Sequence, residues 1–234
     1  MRKTFWQPMN LTRIAYNPLK NNFSPDECAP TELYGNARDG HMNFTGIRTY
    51  TLRGEVHDYK AFHSMGGVSG HAGLFSNAEN IAYLASIMLN GGYGGYKFFS
   101  RNVIDSFISP QSSDSANWGA GWWREGDDQR VWYFGTQSSS FAFGHQGWTG
   151  TLVVIDPSRN LVIAYLTNKI NSPVVKPYTG KKIYAGNWYT ASTLGFVAQI
   201  LSIGMDCDKN INISGQLLSL LKDMARDSEK LIPK

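Results

Sequence analysis

A histidine, a glutamine and three glycines stand close together at residues 144–150, which have the sequence GHQGWTG. Glycine weakens a strand, and the usual compensation is the close approach of a ligand or of another backbone. Because Gly147 has no side chain, the amide of Trp148 could donate a hydrogen bond to the carbonyl oxygen of a ligand beside the strand. His145 could carry a proton near neutral pH. Gln146 adds a side-chain amide. Together these groups fit one wall of an acyl-transfer site, where fixed donors stabilise the charge that develops on oxygen.

The same stretch is also compatible with a purely structural role. A hairpin corner in which His145 only hydrogen-bonds a neighbour would contain the same residues, and short motifs arise frequently by chance. Local chemistry alone therefore leaves both alternatives open.

The elements around this stretch indicate an antiparallel meander over residues 116–170. Short runs rich in β-branched and aromatic residues alternate with turn residues, and a tight DPSRN connection at 156–160 separates the last two runs. We expect residues 144–147 to stand at the start of the strand that continues towards Asp156. The runs predicted as strands are GAGWWR, RVWYFG, SFAFGHQG, GTLVVID and LVIAYLTNK.

Helical patterns flank the meander on both sides. Ser76 and Glu79 match a capping box before a helix that Gly91 would end. Ser100 is expected to cap a second, shorter helix, and further helical patterns lie near 188–204 and 213–226. The buried face of the first helix is expected to comprise Ile81, Leu84, Ala85 and Met88.

These elements predict a single domain over residues 1–234, of the α+β class, in which helices cover an antiparallel sheet. Residues 1–55 lack periodicity and contain many prolines and turn residues, which predicts a long irregular excursion over the surface. The remaining segments are a glycine-rich turn with helices at 56–110, the meander at 116–170, and C-terminal helices at 187–228.

Composition argues against several classes of protein. The 234 residues carry a net charge of +4 with no run of like charge, so nucleic-acid binding is not expected. No apolar stretch reaches the ~18 residues of a membrane-spanning helix, and the N-terminus has no apolar core of a signal peptide. Cys28 and Cys207 fit no metal or redox spacing.

The histidines outside the GHQGWTG stretch do not form a metal-ligand pattern. His41, His57, His63 and His71 include no pair at the i, i+4 spacing of a helical metal site. We expect no metal and no other cofactor, with a metal hydrolase kept as a third hypothesis. Asp58 is interpreted as fixing a loop and His71 as packing in a glycine turn, with a role at a cleft edge as the alternative.

Two long stretches resemble the serine beta-lactamase-like family, which holds class C beta-lactamases, low-molecular-weight penicillin-binding proteins and related esterases. They read GEVHDYKAFHSMGGVSGHAGLFSNAENIA and FGHQGWTGTLVVIDPSRNLVIAYLTNK. The FSPDECAPTELYGNARDG, VHD and GHAGLFS segments are most similar to the penicillin-binding protein 4B branch. This resemblance covers nearly the whole chain and implies the C-terminal portion of a beta-lactamase/transpeptidase-like fold.

The resemblance implies roles for the candidate residues. His145, Gln146 and Gly147 correspond to the family's third motif, Lys-Thr-Gly or His-Thr-Gly, and the Trp148 amide to one of two oxyanion donors. His145, Gly147 and Trp148 are therefore the candidate catalytic residues. Gln146, which stands where Thr or Ser is commoner, and His71, at the cleft edge, are the candidate substrate-binding residues.

The family's nucleophile motif, Ser-x-x-Lys, and its Tyr-x-Asn motif are not visible where the resemblance would place them. MRKTFW resembles a segment that follows both, so we expect a C-terminal half that begins at an internal methionine. Ser219 and Lys222 form a Ser-x-x-Lys after the third motif, expected to be the polar edge of an amphipathic helix. Tyr34-Gly35-Asn36 is expected to be a turn.

The sequence thus predicts the C-terminal part of a serine acyl-hydrolase that acts on peptidoglycan stem peptides, beta-lactams or esters. Without the nucleophile the chain alone is expected to be inactive. The alternative is a non-catalytic module that binds peptidoglycan peptides. The resemblance implies a periplasmic or cell-envelope location for the parent protein, and apolar surface left by a missing half predicts self-association.

Overall fold

The computed structural model describes residues 1–36, 44–111, 117–126, 131–178, 181–189, 192–206 and 214–231. The strands are β1 (Ile14–Tyr16), β2 (Pro30–Glu32), β3 (Leu52–Arg53), β4 (Leu74–Ser76), β5 (Gly92–Tyr93), β6 (Tyr96–Lys97), β7 (Trp123–Arg124), β8 (Phe143–Gln146), β9 (Leu152–Asp156), β10 (Leu161–Tyr165), β11 (Val174–Tyr178) and β12 (Lys181–Tyr184). The α-helices are α1 (Tyr59–Ser64), α2 (Ala78–Asn90), α3 (Arg101–Ile108), α4 (Val131–Phe134), α5 (Leu194–Asp206) and α6 (Ser214–Leu231).

A four-stranded antiparallel sheet in the order β10-β9-β8-β7 is the main sheet of the described chain. The DPSRN connection joins β9 to β10, with Asp156 opposite Leu161 and Asn160 in the left-handed conformation. The predicted α+β class with an antiparallel meander is confirmed. Buried Asp156 accepts hydrogen bonds from the amide and hydroxyl of Ser139, which fixes this hairpin.

The RVWYFG run is not a strand, because Val131–Phe134 forms the short helix α4. Phe134 is buried in the core beneath the sheet, and the Tyr133 ring packs on Trp123 with centroids 4.6 Å apart. Four residues show no period that separates a strand from a helical turn. Packing of α4 against α5 therefore decides the conformation, and sequence pattern alone could not show it.

The predicted place of the GHQG residues in the sheet also needs correction. His145 and Gln146 lie at the end of β8, not at the start of a strand. The Gly147 amide donates to the Thr151 carbonyl at 2.8 Å and closes the turn to β9. Gly150 has a φ of 106° in that turn, a conformation that favours glycine.

Helix α2 has a different cap from the predicted one. Asn77 is the N-cap and accepts from the Asn80 amide at 2.9 Å, whereas the Ser76 hydroxyl donates to the Arg13 carbonyl at 2.8 Å. Pairing of β1 with β4 draws Ser76 into a strand, so its hydroxyl is not used by the helix. Gly91 ends α2 in the left-handed conformation, as predicted.

The shorter helix α3 begins as predicted, because the Ser100 hydroxyl accepts a hydrogen bond from the Val103 amide. The Tyr34-Gly35-Asn36 turn is also confirmed, since the Asn36 amide donates to the Leu33 carbonyl at 3.0 Å.

Helix α2 is buried on two sides, not on the single predicted face. Ala85 packs with Phe143 and Ile155 of the sheet, while Ile87, only 2% exposed, packs with Trp6 and other N-terminal residues. The N-terminal residues of this second cluster are Trp6, Met9, Leu11 and Ile14. The expectation that residues 1–55 only cross the surface is therefore wrong for residues 6–14, because this segment contributes side chains to the hydrophobic core.

The two predicted C-terminal helices are present as α5 and α6. Helix α5 begins at Leu194, later than predicted, because Ala185–Trp188 forms a separate 3-10 turn. Arg159 of the β9–β10 connection donates to the Ser202 carbonyl and pairs with Asp206, so α5 is tied to the sheet. No helix in the described part of the chain has the length and apolar content that a membrane crossing requires.

Candidate active site

A cavity of about 800 Å³ brings most of the candidate residues together. His145, Gly147 and Trp148 line it, and His71 lines it from another segment of the chain. A volume of this order suits a small molecule or a short peptide. We call residues 145–149 the lip, and residues 56–58 with 69–77 the second wall.

His145 is exposed at the end of β8, with its ring centroid 4.6 Å from that of Trp123. Its Nδ1 lies 2.6 Å from the carbonyl oxygen of Gln146. A carbonyl can only accept, so Nδ1 carries a proton and donates it. Nε2 has no hydrogen-bond partner among the described residues and is the nitrogen that remains for a ligand.

The side chain of Trp148 is exposed at the lip, and its amide has no acceptor among the described residues. The residue as a whole is 67% exposed. Neighbouring Gly147 and Gly150 instead use their amides within the turn. A fixed N–H without an acceptor beside a cavity is the arrangement that stabilises a developing oxyanion.

Gly147 also lies close to a side chain of its own turn. A Cβ built on Gly147 would collide with Oγ1 of Thr151, within the same turn. A side chain at position 147 would therefore have to displace the Thr151 side chain, whether or not a ligand approaches.

Gln146 is not among the described residues that line the cavity. It pairs with Leu152 at the end of β8, next to His145, and side chains of adjacent strand residues point to opposite faces. The structure thus separates Gln146 from the other candidates of its motif.

The second wall is held by side chains. The Asp58 carboxylate caps α1 by accepting from the Ala61 amide at 2.8 Å, and its Oδ1 lies 3.3 Å from Nε2 of His71. His71 Nδ1 lies 2.9 Å from the Ser69 hydroxyl. Burial raises the pKa of Asp58, but the Ala61 amide and His71 outweigh it, so the net pKa lies below its ordinary value. The predicted loop-fixing role of Asp58 agrees with these contacts.

The other two histidines near this wall differ in position. His57 is buried and lines the cavity, whereas His63 is exposed and contacts the aromatic rings of Phe44 and Phe62 instead. His41 lies outside the described residues.

Arg48 is a positioning residue that the sequence did not reveal. It is buried, and its guanidinium donates to the carbonyls of Val56 at 2.8 Å and His57 at 3.1 Å. The guanidinium also lies over the rings of Tyr59 and Phe62. Arg48 thereby fixes the backbone immediately before Asp58. A single arginine in an aperiodic segment carries no sequence signal for this role.

The arginine at the cavity is paired with a carboxylate. Arg13 pairs with Glu27 at 2.7 Å, and the Ser24 amide and Arg13 hold the pKa of Glu27 below its ordinary value. Arg13 is the only Lys or Arg among the described lining residues, so the cavity has no unpaired strong cation there. Burial raises the pKa of the Cys28 thiol, which makes it a poor nucleophile.

No group of three or more His, Cys, Asp or Glu side chains that could hold a metal ion occurs within the described ranges.

Comparison with known proteins identifies the family. A family model described as Beta-lactamase matches residues 1–184, and the chain belongs to the Beta-lactamase family. The resemblance inferred from sequence is thereby confirmed.

Two relatives match most of this chain. One from Bacillus subtilis (strain 168), named N-acetylmuramyl-L-alanine amidase, is 45% identical over 202 residues, which are 86% of this chain and 46% of the relative. One from Escherichia coli (strain K12), named putative D-alanyl-D-alanine carboxypeptidase, is 44% identical over 198 residues, 84% of this chain and 45% of the relative. The chain spans about half the length of the curated relatives it matches.

A crystal structure of a penicillin-binding protein homolog from Caulobacter crescentus matches 71% of this chain and 45% of that chain, with 18% identity and a TM-score of 0.45.

Proposed function

We propose that this chain supplies one wall of the acyl-transfer site of a serine hydrolase. Its substrates are D-alanyl stem peptides, beta-lactams or esters, and its place is the periplasm or cell envelope. The cavity lip carries the proposal, because His145 Nε2 and the Trp148 N–H both lack partners among the described residues. The name of the Escherichia coli relative, which is 44% identical, supports a D-alanyl substrate.

The proposed reaction passes through an acyl-serine. A serine hydroxyl from outside this chain attacks the acyl carbon, and the Trp148 N–H donates to the oxygen that becomes negative. The bond to the leaving group then breaks, and the hydroxyl proton passes to that group with His145 as a carrier. Water hydrolyses the ester and regenerates the serine. The chain alone, without that serine, is proposed to be inactive.

Gln146 and His71 are proposed to contact the substrate beyond the reacting carbonyl. The Gln146 amide would bind a peptide group where the substrate extends past the lip. His71 would contact it through the ring face, since both ring nitrogens already have partners. Paired charges at the cavity suit a neutral or zwitterionic peptide better than a polyanion.

A fluorescent penicillin tests the proposal on the chain alone. We expect no covalent label, because the proposal takes the nucleophilic serine from outside this chain. A label that Ser219→Ala abolishes would contradict the proposed inactivity.

A fusion tests the lip directly. The part of the Escherichia coli relative that precedes its matching segment is joined to this chain, and acylation by the same penicillin is timed. Trp148→Pro removes the N–H and should slow acylation about 10²–10³-fold, as the loss of one oxyanion donor does. Trp148→Phe keeps the N–H and should acylate at nearly the parent rate. Equal rates for the proline and phenylalanine variants, with circular dichroism unchanged, would contradict the role of this amide.

A non-catalytic binding module is the second candidate, and the presence of the cavity within this chain alone favours it. Calorimetry can measure whether the chain binds a stem-peptide mimic that ends in D-alanyl-D-alanine. Binding of this mimic, together with no acylation of the fusion, would support the binding module over the hydrolase.

The chain alone is also proposed to self-associate. Several large apolar side chains on α5 and α6 are exposed, namely Leu201, Met205, Leu218 and Leu221. Sedimentation velocity should show a weight-average mass that rises with concentration. A monodisperse monomer over a hundredfold concentration range would count against this proposal.

A further inference from the structure

We infer that Asp58, His71 and Ser69 form a hydrogen-bonded bridge that fixes the second wall of the cavity, with His71 as a positioning residue for ligand binding. The ligand in the test rests on the proposed function, whereas the bridge itself does not. All three residues line the same cavity as the lip.

The bridge joins two segments that helix α1 separates. Nε2 of His71 lies 3.3 Å from the Asp58 carboxylate, and Nδ1 lies 2.9 Å from the Ser69 hydroxyl. A carboxylate can only accept, so Nε2 carries a proton and Nδ1 pairs with the hydroxyl. Both ring nitrogens thus have partners within the protein. This is expected for a residue that holds the wall in place and does not itself bind the ligand through hydrogen bonds.

Each end of the bridge is itself anchored. Asp58 caps α1, and Arg48 holds the two carbonyls that precede Asp58 in the chain. At the other end, the Tyr16 hydroxyl donates to the Ser69 carbonyl at 3.1 Å. His71 therefore connects two fixed points, and its loss would free the loop that contains Gly70.

The same connectivity, Ser-His-Asp, occurs in hydrolase triads, but the surroundings of Ser69 favour an anchor. Its Oγ lies within hydrogen-bonding distance of the backbone amides of His71 at 3.3 Å and Ala72 at 3.1 Å. These donors occupy the lone pairs that a nucleophile would need. Ser69 is accordingly assigned as part of the wall and not as the acylated residue.

Amide hydrogen exchange tests the bridge in the whole chain. His71→Ala and Asp58→Ser should each speed exchange at residues 69–73 about two- to fivefold, the factor expected for loss of one solvent-exposed ion pair. Serine at position 58 still caps α1 but is too short to reach His71, so exchange in α1 should stay unchanged. His63→Ala, at another exposed histidine, is the matched control and should leave residues 69–73 as in the parent.

Affinity for a stem-peptide mimic ending in D-alanyl-D-alanine tests the positioning role. His71→Ala, Asp58→Ser and Ser69→Ala should weaken binding about two- to fivefold, while Ser69→Thr, which keeps the hydroxyl, should retain it. Unchanged exchange in His71→Ala overturns the bridge, and faster exchange with unchanged affinity overturns the positioning role. If the parent chain binds no mimic, the proposed function fails while the exchange measurement still decides the bridge. Fluorophosphonate labelling that Ser69→Ala abolishes would overturn the anchor assignment.

Discussion

The lip and the second wall line one cavity but are built by different interactions. The lip is held by main-chain hydrogen bonds of β8, β9 and their turn, with glycines where another atom comes close. The second wall is held by side chains that include Arg48, Asp58 and His71. A wall made of backbone should resist changes of side-chain chemistry but not added volume. A wall made of side chains should show the opposite sensitivity.

Adding one methyl group to strand β8, which carries the lip, and one to the second wall should give the largest contrast. A Cβ on Gly144 would collide with the carbonyl oxygen of Val153 in the neighbouring strand. Gly144→Ala should therefore lower the free energy of unfolding by about 3 kcal/mol, the upper part of the range for overpacking. The matched change Gly70→Ala meets no atom within 4 Å and should stay within about 0.5 kcal/mol of the parent. Urea unfolding measures both, and equal losses would remove the contrast between the walls.

Removing one buried side chain should instead damage the second wall. Arg48→Met leaves the carbonyls of Val56 and His57 without their donor and should cost about 2 kcal/mol in urea unfolding. Arg53→Met is the control, because Arg53 is exposed and makes one long hydrogen bond to the Cys28 carbonyl. It should change stability by less than about 0.5 kcal/mol. Similar costs for both arginines would show that the wall does not depend on the buried guanidinium.

The sequence predicts the lip better than the second wall for a physical reason. The β9–β10 hairpin and the Ser100 cap follow from residues that interact within a few positions of one another. The lip residues are also consecutive, so their motif is visible, although its place at the end of β8 depends on the turn that Thr151 closes.

The second wall depends on contacts between residues distant in the chain. The sequence singles out Asp58 and His71 separately, but their contact and the role of Ser69 appear only once α1 has folded between them. Trp6 likewise packs with Ile87 of α2, a residue far away in the sequence, and no local pattern predicts that contact. Short segments such as Val131–Phe134 take the conformation that their neighbours impose.

Removing the collision between a side chain at position 147 and Thr151 should show that the lip has no room for added atoms. Gly147→Ala places a methyl group against Oγ1 of Thr151 and should cost about 1.5 kcal/mol, within the usual range for overpacking. Adding Thr151→Ala removes that oxygen, so the double variant should recover about 1 kcal/mol relative to the sum of the single changes. A double-mutant cycle by urea unfolding measures this coupling. Strict additivity would mean that the glycine is required for another reason.

Acid should give the smallest effect, and in the second wall that effect depends on Asp58. The folded-state pKa of Asp58 is lowered, so its contribution is present above the ordinary carboxyl value of about 3.9 and is lost as pH falls through the folded pKa. Asp58→Asn should flatten the fall in stability in that window. Glu27, whose pKa is also lowered, contributes in the same window, so the informative quantity is the difference between variant and parent. Asp26→Asn, at an exposed carboxyl outside both walls, is the control. If stability falls equally with decreasing pH in Asp58→Asn and in the parent, the Asp58 charge does not stabilise the wall.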